Sequence, residues 1–161
     1  MVNSRDINQL LPQVRDRVEQ MLVNIENDPW FINADITITV TSTFRDFESQ
    51  NALYASGRTI KGRTKTNAKG GESWHNWRRA ADVCLFRSGK PIWGTGGHGI
   101  NADPTDDDTN DLEAWQRFGQ HAAHVGLEWA GNWKKFKEFP HVQLTEGLSW
   151  RTLLAQHPNG I

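Results

Sequence analysis

Two short stretches of this sequence carry side chains suited to metal chemistry. His75 and Asp82 stand seven residues apart, and Glu138 precedes His141 by three. Zinc catalysis uses three protein ligands and leaves a fourth position open to water. Imidazole nitrogens and a carboxylate oxygen suit this borderline ion, and His75, Asp82 and His141 supply such a set. A carboxylate that is not a ligand must then take a proton from the attacking water and pass it to the leaving amine. Glu138 has the type and the position for that role. Arg45 offers a planar cation to a developing oxyanion or to a substrate carboxylate. Each piece alone has an ordinary alternative: a His/Asp pair as a surface hydrogen bond, Arg45 as a strand-end ion-pair partner. Their coincidence is what points to catalysis.

The elements expected to hold these residues can be read from the patterning. Pro12 suits the first turn of a helix, and Val14, Val18, Met21, Leu22 and Ile25 then recur at helical spacing. Ile36, Ile38 and Val40 alternate with threonines, which predicts a half-buried strand over 35–41. Arg45 falls between that strand and a short predicted helix over 46–55. Residues 57–72 read as a long loop, of the kind that is usually functional or mobile. Residues 80–86 and 139–144 read as strands carrying Asp82 and His141. Asn110 and Glu113 resemble a capping box opening a helix that Gly126 closes, and 148–156 reads as a terminal helix. Strands and helices do not alternate as βαβ units. The expected fold class is therefore α+β: a single domain over residues 1–161, with a mainly antiparallel sheet, flanking helices and long active-site loops.

In order and spacing, the sequence resembles the D-alanyl-D-alanine carboxypeptidase and L-alanyl-D-glutamate endopeptidase family of zinc peptidases. That family's SxHxxGxxxD pattern, followed later by ExxH or DxxH, is matched by Ser73, His75 and Asp82 and by Glu138 and His141. Arg45 to Gln50, Leu53 to Thr59, Thr66 to Ala68 and Gly126 to Lys134 are similar to further stretches of the family. The resemblance covers roughly residues 10–145 and comes nearest to phage endolysins of the L-alanyl-D-glutamate endopeptidase type. It implies one Zn2+ per chain on His75, Asp82 and His141, with Glu138 as general base. It also implies Arg45 and Gln50 lining the substrate site and Ser73 supporting a ligand or the substrate. The implied substrate is the peptidoglycan stem peptide, cut between L-alanine and D-glutamate. Where the family has glycine this sequence has Arg78, so the loop is expected either to be reshaped or to have an ordinary backbone angle there.

Two alternative readings stay open: a D-Ala-D-Ala carboxypeptidase, and a non-catalytic module that keeps zinc for structure and binds wall peptides. An intact Glu138 favours catalysis. With 18 basic and 19 acidic residues the formal net charge is −1, which argues against nucleic acid as a partner. Cys84 is the one cysteine, so no intrachain disulfide forms. Neither a signal peptide nor a membrane span is expected. The expectation is a monomer made in a host cytoplasm and acting on the cell wall after release.

Several further features have bland readings as well as functional ones. His121 and His124 sit one turn apart and read mainly as helix surface. His98 lies on a Gly-rich loop from which it could reach the site as an auxiliary donor. Cys84, two residues past Asp82, reads as a small buried residue rather than a ligand. Trp74 and Trp77 suit either an apolar wall by the metal or the core. The basic loop 57–69 suits a solvated surface or attraction to anionic envelope polymers. The acidic stretch 103–111 fails the EF-hand template, because Asp111 and Arg117 stand where Gly and Glu are required. It reads as a solvated loop before a helix.

Overall fold

The computed structural model describes residues 1–92 and 108–161. His98, the irregular stretch from Gly94 and the acids Asp103, Asp106 and Asp107 lie outside the described residues.

Helix α1 (Pro12–Glu26) starts at the predicted proline and turns Val14, Val18, Met21 and Ile25 inward, all buried. A five-residue helix α2 (Pro29–Asn33), capped by the Asp28 side chain on the Trp30 N–H, follows at once and buries Phe31. It leads into strand β1 (Ile36–Ser42), and helix α3 (Phe47–Ala55) begins after Asp46 caps it through the Ser49 N–H. Strand β2 (Ala80–Arg87) is the centre of the sheet, and a short β3 (Lys90–Ile92) folds back on its far end. Helix α4 (Asp108–His124), strands β4 (Glu128–Trp129) and β5 (His141–Gln143), and helix α5 (Trp150–Gln156) complete the described α-helices and strands.

The strands form an antiparallel sheet in the order β1-β2-β5-β4, with β3 and β5 sharing one edge of β2. The α+β expectation holds. Alternation along β2 decides the rest of the architecture, since successive side chains point to opposite faces. Ala81, Val83 and Leu85 are buried in the core that α1 and α4 cover, with Trp115, Phe118, Trp129 and Val142. Asp82 and Cys84 point to the opposite face.

Trp129 fixes the approach to β5. Its indole N–H donates to the Phe139 carbonyl at 2.8 Å, and its ring stacks on Phe139. Gly119 of α4 and Gly131 both lie flat against that indole, where any Cβ would overlap the ring. These glycines are there for close approach.

Some boundaries differ from expectation. Helix α4 begins at Asp108, so Asn110 lies inside it rather than at its cap. Asp111, read as part of a solvated loop, is buried, and its carboxylate pairs with Arg87 at 2.5 Å. Among the described residues no helix is long and apolar enough to cross a membrane.

Candidate metal centre

The sheet register brings the ligand candidates together. Asp82 of β2 is the direct partner of His141 on β5, and Ser42 of β1 pairs with Asp82 from the other side. His75 reaches the same spot from a 3-10 turn, Trp74–Trp77. Ser73 caps that turn by accepting the His75 N–H, while the Asn76 side chain faces back to the Ser73 N–H. Asn76 is buried; it accepts the Gly71 N–H at 2.9 Å and donates to the Arg45 carbonyl at 2.7 Å. The turn that carries His75 is thereby tied to the segment that carries Arg45.

The ligand atoms of His75, Asp82 and His141 lie within 4.8 Å of one another. Asp82 Oδ1 is 3.2 Å from His75 Nε2 and 2.9 Å from His141 Nδ1. Ligands about 2.0–2.2 Å from a tetrahedral metal sit roughly 3.3–3.5 Å apart. Both separations from Asp82 are close to that spacing, and two imidazoles with one carboxylate are a borderline-metal donor set. The remaining ring nitrogens face protein acceptors. His75 Nδ1 is 2.6 Å from the Thr43 carbonyl, which can only accept, so Nδ1 carries a proton and Nε2 is the nitrogen that faces the cluster.

Electrostatics at the site follow the geometry. Burial alone would raise the Asp82 carboxyl. The charge of His75 and hydrogen bonds from both imidazoles overcome it and hold the group well below the ordinary carboxylate range. Burial likewise opposes the charged form of His141, but Asp82, Gln143 and Glu138 together push it up. Arg45 is pushed down by burial, against the opposing charges of Asp82 and Glu138. Glu138 is exposed, and its charge reaches both Arg45 and His141 although it lies outside the three-ligand cluster.

Arg45 is buried, with Nη1 donating to Gln50 Oε1 at 2.8 Å and Nη2 to Ser42 Oγ at 3.0 Å. Nη2 also comes within 3.9 Å of Asp82 Oδ2, and Nε has no partner among the described residues. Gln50 in turn donates to the Ala68 carbonyl at 2.8 Å, so the loop over 57–72 is anchored at the site. Arg58 organises the same loop through the Tyr54 and Thr66 carbonyls and the Tyr54 ring, and is more than a solvated charge.

The ligand candidates lie in a stretch that matches a known family. Residues 66–144 match the model described as D-alanyl-D-alanine carboxypeptidase. Over 113 residues the chain is 37% identical to the peptidoglycan L-alanyl-D-glutamate endopeptidase CwlK of Bacillus subtilis (strain 168), covering 70% of this chain. The chain is thus similar to this peptidase family across the residues that carry the site. It spans 63% of the length of that relative. The crystal structure of the Serratia marcescens L-Ala D-Glu endopeptidase ChiX shares the fold, with a TM-score of 0.50 at 18% identity over 94% of this chain and 86% of that one. The family match includes His75, Asp82, Glu138 and His141, while Arg45 and Gln50 precede it.

The family glycine position holds a surprise. Arg78 has a left-handed backbone, φ 56° and ψ 30°, and not the ordinary angle that is one of the two expectations. The strain, roughly 1–2 kcal/mol, is offset by contacts that glycine lacks. The guanidinium donates to the Gln9 carbonyl and side-chain oxygen at 2.9 and 2.8 Å and stacks over Phe44 at 3.9 Å.

Other candidates resolve to structural roles. Trp77 is core, edge-on to Phe47, and donates to the Gly71 carbonyl. The indole beside the site is instead Trp133, 5.7 Å from the His141 ring. His121 pairs with Asp28 at 2.8 Å, tying α4 to α2. Cys84 is buried beyond the ligand cluster, and burial pushes its thiol up.

Proposed function

We propose that the chain is a zinc metallopeptidase that hydrolyses the peptidoglycan stem peptide at the L-alanyl–D-glutamate bond. It would act as a monomer through one catalytic domain spanning residues 1–161. The observation that carries this reading is the convergence of His75, Asp82 and His141 on one point, in a chain similar to an endopeptidase of that printed specificity.

His75, Asp82 and His141 would hold the ion, which would displace the protons now shared between Asp82 and the two imidazoles. Zinc so held would supply Lewis acidity toward the scissile carbonyl and lower the pKa of water to about 7. Glu138, exposed and outside the ligand set, would take the proton from the attacking water and deliver it to the leaving amine. Arg45 would steady the developing negative charge or a stem-peptide carboxylate, with Gln50 and Ser42 orienting its guanidinium. Ser73 would act on the turn, by holding the His75 N–H.

The narrower reading is a phage endolysin that reaches the wall after release from the host cytoplasm. It rests on the Gly126 to Lys134 run and on the Leu53 to Thr59 stretch. Lysis of host cells when the chain is co-expressed with a membrane pore, and no lysis without one, is its expected behaviour.

Mass spectrometry of fragments released from purified peptidoglycan tests the bond. New N-terminal D-glutamate is expected. Release of terminal D-alanine alone would instead indicate a carboxypeptidase.

A further inference from the structure

The structure assigns Gln143 as a positioning residue that selects which nitrogen of His141 faces the metal. This inference rests on the metal-site reading above, and the experiment separates the two.

Gln143 lies two residues after His141 on β5, so both side chains point to one face of the sheet. It is 5% exposed, and its cross-strand partner on β4 is Glu128. The Gln143 amide can be oriented in only one way. Its Nε2 donates to Glu128 Oε2 at 3.0 Å, and an ionised carboxylate only accepts. The other end of the amide, Oε1, must then face His141 Nε2, 3.0 Å away. An acceptor at that position holds a proton on Nε2, so a metal that replaces the Nδ1 proton is bound through Nδ1, which faces the point shared with Asp82, 2.9 Å from its Oδ1. Glu128 is itself held by Thr145, whose N–H and hydroxyl both donate to Oε1.

Thr145, Glu128, Gln143 and His141 thus form a run of hydrogen bonds that converges on the Glu128 carboxylate, with His141 donating to Gln143 and Gln143 to Glu128. The two imidazoles offer different nitrogens, Nε2 from His75 and Nδ1 from His141, because the Thr43 carbonyl and the Gln143 amide occupy the other ones. Groups that fix a metal-bound imidazole in this way usually change metal affinity about 10–100-fold when removed.

Three measurements test the assignment. In the wild-type protein loaded with cadmium-113, metal–nitrogen coupling in the NMR spectrum should identify Nδ1 of His141 and Nε2 of His75. Gln143→Met keeps the side-chain length but neither donates nor accepts as an amide. Its zinc dissociation constant, by chelator competition, should rise about 10–100-fold, with the melting temperature of the metal-free protein close to wild type. The exchanged pair Gln143→Glu with Glu128→Gln reverses the bond between 143 and 128 but keeps an acceptor facing His141 Nε2, and should return affinity to within about threefold of wild type. Coupling to Nε2 of His141, or wild-type affinity in Gln143→Met, would overturn the assignment. An exchanged pair as weak as Gln143→Met would overturn it as well. A wild-type chain that binds no zinc would sink the metal-site reading itself, whereas zinc bound through the wrong nitrogen sinks only this one.

Discussion

Asp82 and His141 face each other as direct register partners across β2 and β5, with Oδ1 and Nδ1 2.9 Å apart. A slip of one residue in that pairing would send one of them into the core, because side chains alternate between faces. The apolar set Ala81, Val83 and Val142 on the other face therefore does more than build a core. It locks the register that keeps two of the three ligand candidates together.

The left-handed Arg78 gives a test of sign. Arg78→Ala keeps the backbone strain and loses the contacts to Gln9 and Phe44, whereas Arg78→Gly loses the same contacts and relieves the strain. The glycine variant should be the more stable of the two by about 1 kcal/mol, read as the difference in denaturant midpoints. An alanine variant at least as stable would mean that position 78 has no left-handed strain.

Gly119 inverts the usual rule in the same way. Glycine to alanine inside a helix normally stabilises by about 0.5–1 kcal/mol. Here the added methyl overlaps the Trp129 ring, so Gly119→Ala should destabilise by about 1–3 kcal/mol. Thermal unfolding of the two proteins decides it, and a rise in melting temperature would count against the packing described.

Arg45→Lys should not substitute for arginine. One ammonium cannot reach Gln50 and Ser42 in the fork that the guanidinium spans. Cleavage of wall peptides is expected to fall about 10²-fold. Near-normal turnover would move Arg45 to a structural role.

Asp28 links the start of α2 to His121 of α4. Burial pushes its carboxyl up, but the hydrogen bonds from His121 and the Trp30 N–H, with the charges of His121 and Arg117, leave it below its ordinary value. A depressed folded-state pKa contributes stability above the unfolded value, about 3.9, and loses it as pH falls through the folded value. Asp28→Ala should therefore cost roughly 0.5–2 kcal/mol near pH 6, and the gap to wild type should shrink below about pH 4. A gap independent of pH would assign the effect to capping by the neutral side chain.

Much of this molecule was legible because periodicity and ligand chemistry leave marks in sequence. The spacing of Val14, Val18, Met21 and Ile25 reported α1, and the alternation around Ile36 to Val40 reported β1. Helix α2 was missed because Trp30, Phe31 and Ile32 run together without a period, although Asp28 followed by Pro29 was a usable cap signal. Strand β3 is too short to show any alternation. Supporting groups were harder still. Thr43 acts on His75 through a backbone carbonyl, which every residue has, and Gln143 matters through a cross-strand neighbour 15 residues away. Only its place two residues after His141 hinted at a shared face. At Arg78 the sequence showed a missing glycine but not the Gln9 and Phe44 contacts that offset its loss.

The central claim is that Glu138 moves the proton at a zinc ion held by His75, Asp82 and His141. Zinc content measured beside the cleavage rate, for Glu138→Gln and His75→Ala, tests it most directly. Glu138→Gln should keep its zinc and its fold while peptidoglycan cleavage drops by about 10²–10⁴-fold, and His75→Ala should lose metal and activity together. Wild-type cleavage by Glu138→Gln, or full zinc content in His75→Ala, would contradict the account.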